Sequence, residues 1–295
     1  MQIGIAGVGR MGAAIAERLM EVGHQVTVWN RSAEKTKPLA AAGAKVAATP
    51  AELARACETI ITILTDPAAI DTVFGGPSGL LSAEVKGKLF IEMSTVQPAV
   101  ITALAEKVRA KGGAFVECPV GGTIGPARQG KLFGLMGAEP ADAARAKPIL
   151  DQMCRRVEHC GPVGSGAVMK LAINLPLMIS WQAYGEAFAL CRSLGFDGKR
   201  LMDLFTDTSG ANNALKNRAP MIAALFDGGD PGPVTFDIDS ARKDLRSMVA
   251  EGKARGVELP LIERTLASFD EASRNGLGAR DGSNVAVYWA TRKKS

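Results

Sequence analysis

Two groups of residues in this chain have the types and spacing that chemistry requires. The first is Gly7-Val8-Gly9-Arg10-Met11-Gly12, a GxGxxG turn directly after a short apolar run and at the start of a helical one. There the first glycine permits a tight turn and the second lets backbone approach a pyrophosphate. The third allows close packing of helix on strand, and the helix N-terminus supplies N–H donors. An ordinary glycine-rich turn would explain the motif alone; the order strand, motif, helix favours a dinucleotide. The second group is Lys170 and Asn174, four apart and so on one face of a helix. A lysine in an apolar stretch has its ammonium disfavoured by desolvation, which moves it toward proton transfer at ordinary pH. Asn174 can hold a hydroxyl or carboxylate oxygen beside it. The plainer reading is a snorkelling lysine with a polar neighbour.

A third segment bears on the first. The second strand ends in Trp29-Asn30-Arg31-Ser32, with Lys35 a turn later. A site for NAD(H) usually carries an acid there for the ribose hydroxyls. Arg31 can instead pair bidentately with a 2′-phosphate and Ser32 can donate to it, so the loop favours NADP(H) over NAD(H). A solvated surface pair is the alternative for Arg31 and Lys35.

The elements that must position these residues change character midway. Strand patterns run over Gln2–Ala6, Gln25–Trp29, Thr59–Leu64, Lys88–Met93, Ala114–Cys118, Leu132–Met136 and Arg156–His159. Helical spacing fills Met11–Val22, Ala51–Cys57, Ala68–Phe74, Ala99–Lys111 and Ala141–Met153. Such alternation predicts an α/β Rossmann-type domain with a mostly parallel, doubly wound sheet. From Val168 onward the pattern is helical: Val168–Leu194, Lys199–Phe205, Asn213–Phe226, Ile238–Arg255 and Leu261–Asn275, without a convincing strand. Gly161-Pro162-Val163-Gly164-Ser165-Gly166 breaks regular structure between the halves. The chain therefore reads as residues 1–162, α/β, and 163–295, all-α.

Composition narrows the function classes. A chain of 295 residues with 47% hydrophobic and 22% charged residues can bury real cores and is neither disordered nor a disulfide scaffold. Net charge is +5 without a basic block, so nucleic acid is not an expected partner. Five dispersed cysteines without CxxC and two histidines predict neither disulfides nor a metal site. No apolar run of membrane-spanning length and no secretory leader pattern is present, so the expectation is a cytoplasmic protein away from the membrane.

Four ordered segments resemble the β-hydroxyacid dehydrogenase family, which includes 3-hydroxyisobutyrate dehydrogenases and tartronate semialdehyde reductases. They are Gly7–Gly12 with Asn30-Arg31-Ser32; Glu92-Met93-Ser94-Thr95-Val96-Gln97-Pro98, similar to the family's DxSTxxP loop; Glu117-Cys118-Pro119-Val120-Gly121-Gly122-Thr123, in place of DAPVSGG; and Gly161 to Asn174, similar to GxxGxGxxxKxxxN. Lys243-Asp244-Leu245 resembles a cofactor-proximal Lys-Asp pair. The resemblance implies NADP(H)-dependent interconversion of a small β-hydroxy acid and its semialdehyde or keto acid, with nicotinamide in an interdomain cleft and Lys170 as general acid/base beside Asn174. It implies cofactor contacts from Gly7, Gly9, Arg10, Met11, Gly12, Asn30, Arg31, Ser32, Lys35, Leu64, Thr65, Thr95 and Lys243. Substrate contacts would come from Ser94, Val120, Gly121, Gly122, Thr123 and Asn174, with Phe236 at the border. The second domain would carry substrate binding and assembly into a homodimer or homotetramer, beginning with a long interdomain helix.

The match is imperfect at the third segment. Gly121 stands where the family has serine, which removes a hydrogen bond to a charged group worth about 1.5–3 kcal/mol; Glu117-Cys118 replaces Asp-Ala. Thr123 could restore the bond, or the substrate differs. An imine reductase-like enzyme and a non-catalytic NADPH-binding module resemble the same architecture, but both usually depart from lysine at the position of Lys170.

Overall fold

The seven strand patterns of the first half fall in one sheet of nine strands in the computed structural model, which describes residues 1–292. They are β1 (Gln2–Ala6), β2 (Gln25–Trp29), β3 (Lys45–Val46), β4 (Thr59–Thr62), β5 (Leu89–Glu92), β6 (Ala114–Glu117), β7 (Val120–Gly121), β8 (Leu132–Gly137) and β9 (Cys154–Gly161). The order β3-β2-β1-β4-β5-β6 is parallel throughout and is that of a dinucleotide-binding α/β fold. Beyond it, β8 runs antiparallel to β6 and β7 and parallel to β9. The doubly wound, mostly parallel sheet expected from the alternation is therefore present.

Alternate residues of each strand feed two separate cores. On one face Ile3, Ile5, Val28, Ile61, Ile91 and Val116 pack with Ile15 and Leu19 of α1 (Arg10–Glu21) and, after α2 (Lys37–Ala41), with later helices named below. On the other, Ile60, Phe90 and Phe115 pack with Leu53 of α3 (Pro50–Ala56), Ile70, Val73 and Phe74 of α4 (Pro67–Gly75), and Leu104 and Val108 of α5 (Pro98–Ala110). After α6 (Ile124–Arg128), α7 (Pro140–Met153) completes the first face through Ile149, Leu150 and Met153. Helices α3, α4, α5 and α7 begin at a proline, one residue earlier than their apolar periodicity indicates. Proline is preorganised for a first helical position, where its missing N–H costs nothing. Thr49 and Asp66 cap α3 and α4 by accepting from Glu52 and Ala69 N–H at 3.1 and 2.8 Å.

The helical second half comprises α8 (Ser165–Cys191), α9 (Gly198–Thr206), α10 (Asn213–Phe226), α11 (Ile238–Arg255), α12 (Pro260–Ala272) and α13 (Asn284–Thr291). Phe188 is its aromatic centre, edge-on to Phe205 and Phe226 with centroids 4.9 and 5.6 Å away. Asp197, Asn212 and Asp237 cap α9, α10 and α11. Apart from an isolated Asp237–Asp281 bridge, the described residues of this half form no strand.

Packing divides the chain into Met1–Leu171 and the residues from Ala172 onward, later than the glycine-rich break suggests. The cause is local: a Cβ on Gly166 would lie 2.2 Å from the Leu135 carbonyl, so the first turn of α8 rests directly on β8.

Candidate active site

Two glycines of the first motif are required by close backbone, and the remaining one leaves space open. Gly7 has φ +98°, and a Cβ there would sit 2.2 Å from the Ile63 carbonyl. A Cβ on Gly12 would fall 2.0 Å from the Gly7 carbonyl, so α1 can close on β1 only without one. Gly9, the N-cap of α1, has nothing within 4 Å of that position and no side chain capping the helix. An open cradle of backbone N–H groups at a helix N-terminus, where the strand order reverses beside β1, is what a pyrophosphate requires, so these residues fit a dinucleotide. Arg10 is exposed and Met11 half-buried at the same turn.

Asn30 has a specific use in this turn. Its Oδ1 accepts from Val8 N–H at 3.1 Å, and its Nδ2 donates to the Ser32 carbonyl at 3.0 Å. The side chain thus ties the glycine loop to the end of β2. Arg31, Ser32 and Lys35 beyond it are exposed, with no carboxylate at the strand end.

The next two strand ends are joined by side chains. Ser94 is buried and its Oγ accepts from Leu64 N–H at 2.8 Å, locking the loop after β4 to the loop after β5. Thr65 is exposed and Thr95 half-buried beside them. Ser94 N–H donates to Glu92 Oε1 at 2.6 Å, and the Thr62 hydroxyl donates to Glu92 Oε2. Burial pushes the Glu92 carboxyl up to about 7, against the hydrogen bonds from Ser94 and Thr62. Glu117 is equally buried; burial takes it up to about 7, opposed by the Gly166 and Gly164 amides and reinforced by Glu92.

In the third segment β7 pairs Val120 with Gly134 and Gly121 with Phe133. Gly122 has φ +129°, and a Cβ would meet Leu132 Cδ2 at 2.8 Å, so glycine is required there. Gly121 is different: its φ is not positive, and a Cβ would lie 3.8 Å from its nearest neighbours, in ordinary contact. Thr123 is half-buried at the start of α6. Cys118 is fully buried, and burial holds its thiol well above the usual range, as befits a packing residue.

On α8, Lys170 and Asn174 are both buried, with 8% of each exposed. Asn174 Nδ2 donates to Asp244 Oδ2 at 3.4 Å, and Lys243 Nζ lies 2.8 Å from Asp244 Oδ1, a contact close enough for an ion pair but too poorly aligned for a hydrogen bond. The second unit thus assembles Asn174, Asp244 and Lys243. In the sequence Asp244 stands out only as a neighbour of Lys243; nothing there pairs it with Asn174, 70 residues away. Phe236 is half-buried at the end of the segment preceding α11. Trp181 and Tyr184 are buried, the Tyr184 hydroxyl donating to the Gly210 carbonyl at 3.0 Å. Among the described residues no group of three His, Cys, Asp or Glu could hold a metal, and no helix is long and apolar enough to cross a membrane.

Comparison with known proteins agrees with this geometry. Residues 2–161 match the model for the NAD binding domain of 6-phosphogluconate dehydrogenase, and residues 164–289 match the NAD-binding model of NADP-dependent 3-hydroxyisobutyrate dehydrogenase. The chain is 33% identical to glyoxylate/succinic semialdehyde reductase 1 of Arabidopsis thaliana, over 97% of each. It is 35% identical to the mitochondrial 3-hydroxyisobutyrate dehydrogenase of Homo sapiens, covering 97% of this chain and 86% of that one. The crystal structure of a 3-hydroxyisobutyrate dehydrogenase from Salmonella typhimurium superposes with a TM-score of 0.87 at 25% identity, over 97% of this chain and 99% of that one. With matches running through both halves, a strand order shared by dinucleotide-binding folds and a glycine cradle at its first turn, the chain belongs to the β-hydroxyacid dehydrogenase family of NAD(P)-dependent oxidoreductases.

Proposed function

We propose that the protein is an NADP(H)-dependent oxidoreductase that interconverts a small β-hydroxy acid and its semialdehyde or keto acid, with Lys170 as general acid/base. The observation that carries this reading is the buried Lys170 one helical turn before a buried Asn174 whose amide is held by Asp244. The cofactor, when bound, supplies or accepts the hydride at the substrate's oxygen-bearing carbon. Lys170 moves the matching proton, giving it to the carbonyl oxygen in reduction and taking it from the hydroxyl in oxidation. Asn174 orients that oxygen, its amide kept in one sense by Asp244. Ser94 and the Val120–Thr123 segment receive the substrate carboxylate, with Phe236 as an apolar border.

The preference for NADP(H) rests on Arg31, Ser32 and Lys35, exposed at the end of β2 where no acid stands. Around the dinucleotide, Gly7, Gly9, Arg10, Met11 and Gly12 hold the phosphates, Leu64, Thr65 and Thr95 line its path, and Lys243 adds a cation. The functional form is a cytoplasmic homodimer or homotetramer.

The direct test offers NADPH with glyoxylate, succinic semialdehyde, tartronate semialdehyde and methylmalonate semialdehyde, following loss of reduced-nicotinamide absorbance. Turnover of at least one is expected. Tight NADPH binding with no turnover of any would contradict the proposed reaction.

A further inference from the structure

A polar row crosses the carboxyl-terminal edge of the sheet. Ala6, Thr62, Glu92, Glu117 and Gly137 stand in register on adjacent strands. Residues in register share a face, so Thr62, Glu92 and Glu117 lie on the side of Ile60, Phe90 and Phe115, two residues earlier in each strand. Both carboxyls are completely buried. Packing alone gives no reason for acids here, because apolar groups of similar volume avoid the desolvation cost.

What the acids hold gives a reason. Glu117 Oε1 accepts from Gly164 N–H at 2.5 Å and from Gly166 N–H at 2.8 Å, on either side of Ser165, the first residue of α8. The surroundings are cut to fit it: a Cβ on Gly137 would lie 2.2 Å from the same oxygen. Glu117 Oε2 is buried with no hydrogen-bond partner among the described residues. Lys170 follows Ser165 by little more than one turn, so whatever fixes the phase and height of the helix start also fixes the lysine. Glu92 does the equivalent for Ser94 on the neighbouring strand.

We propose that Glu117 is a positioning residue for the reaction: by holding the Gly164 and Gly166 amides it sets the first turn of α8 and with it the place of the Lys170 amine. The proposal rests on the reading of Lys170 as acid/base. An Oε1 acceptor does this work whether the carboxyl is ionised or neutral, and burial keeps the group near its midpoint at neutral pH. A glutamine of the same shape therefore replaces it.

The test compares Glu117→Ala, Glu117→Gln and Lys170→Ala with wild type for kcat, KM and the Kd of NADPH. Glu117→Ala is expected to lower kcat at least about tenfold, as for a misplaced catalytic group, while NADPH Kd stays within about twofold. Glu117→Gln is expected to recover kcat to within about threefold of wild type, because the acceptor is restored. Should the alanine variant fail to fold, Glu117→Met keeps the volume, removes the acceptor and predicts the same loss. A folded Glu117→Ala with wild-type kcat, or a glutamine variant as slow as alanine, overturns the proposal. If Lys170→Ala is inactive while Glu117→Ala is not, only the positioning role fails; if Lys170→Ala turns over normally, the lysine reading fails and this one with it.

Discussion

At the scale of single residues, the cofactor loop and the buried acids make separable predictions. Arg31 is exposed at the end of β2, where a 2′-phosphate needs a partner. Replacing it with alanine removes a charge-assisted contact, so NADPH binding is expected to weaken by about tenfold or more with NADH binding unchanged. Fluorescence titration of both cofactors reads the ratio, and an unaltered ratio would remove Arg31 from the site. Glu92 and Glu117 govern stability against pH. Their folded values, about 7, lie above the ordinary 4.5, so the native state keeps protons that the unfolded chain has lost. Their contribution is full below pH 4.5 and is lost as pH rises toward 7, by about 3 kcal/mol for each group considered alone. Urea unfolding across that window should show wild-type stability falling relative to a Glu92→Gln, Glu117→Gln double variant; parallel curves would mean that both acids ionise normally. The placement of Gly7–Gly12 between β1 and α1, and of Lys170 and Asn174 one turn apart on α8, was legible because a strand-turn-helix order and a spacing of four each state a local geometry. The hydrogen bonds that hold Asn174 and Glu117 were not, since Asp244 and Gly164 reach them only through tertiary packing.

Elements follow the same division. Long strands and helices were visible in apolar periodicity, whereas β3 and β7, with two residues each, and the five-residue α2 and α6 carry too few positions to show a period. The short α13 shows no period either, although five of its eight residues are buried: its apolar content surrounds the helix instead of forming a stripe. The loop built on β7 distinguishes its two glycines. Gly122→Ala forces a side chain into left-handed backbone 2.8 Å from Leu132 Cδ2 and should destabilise by about 1–3 kcal/mol. Gly121→Ser meets only ordinary contacts and should leave stability within about 0.5 kcal/mol of wild type. Equal losses in denaturant titrations would show that both positions need glycine for the fold. A neutral Gly121→Ser would show that the fold does not require glycine at this position.

At the scale of the whole molecule, the two-part organisation was legible from the switch in periodicity. The glycine-rich break marks a loop, while the contacts of Gly166 and Ala167 keep the start of α8 with the sheet. The same helix leaves Met169, Ile173 and Leu190 exposed, the last at 86%. Apolar exposure of this kind on a long helix suits association with further copies. Sedimentation at micromolar concentration is expected to show a dimer or tetramer, with Leu190→Glu shifting it toward monomer; a wild-type monomer would contradict the proposed assembly. The proposed reaction depends on a proton moved by one buried lysine. Its most direct test is kcat of Lys170→Ala with NADPH and the best substrate found, alongside the Kd of NADPH. A fall of at least about a hundredfold in kcat with cofactor binding nearly intact is predicted for the loss of an acid–base group; turnover at the wild-type rate would contradict it.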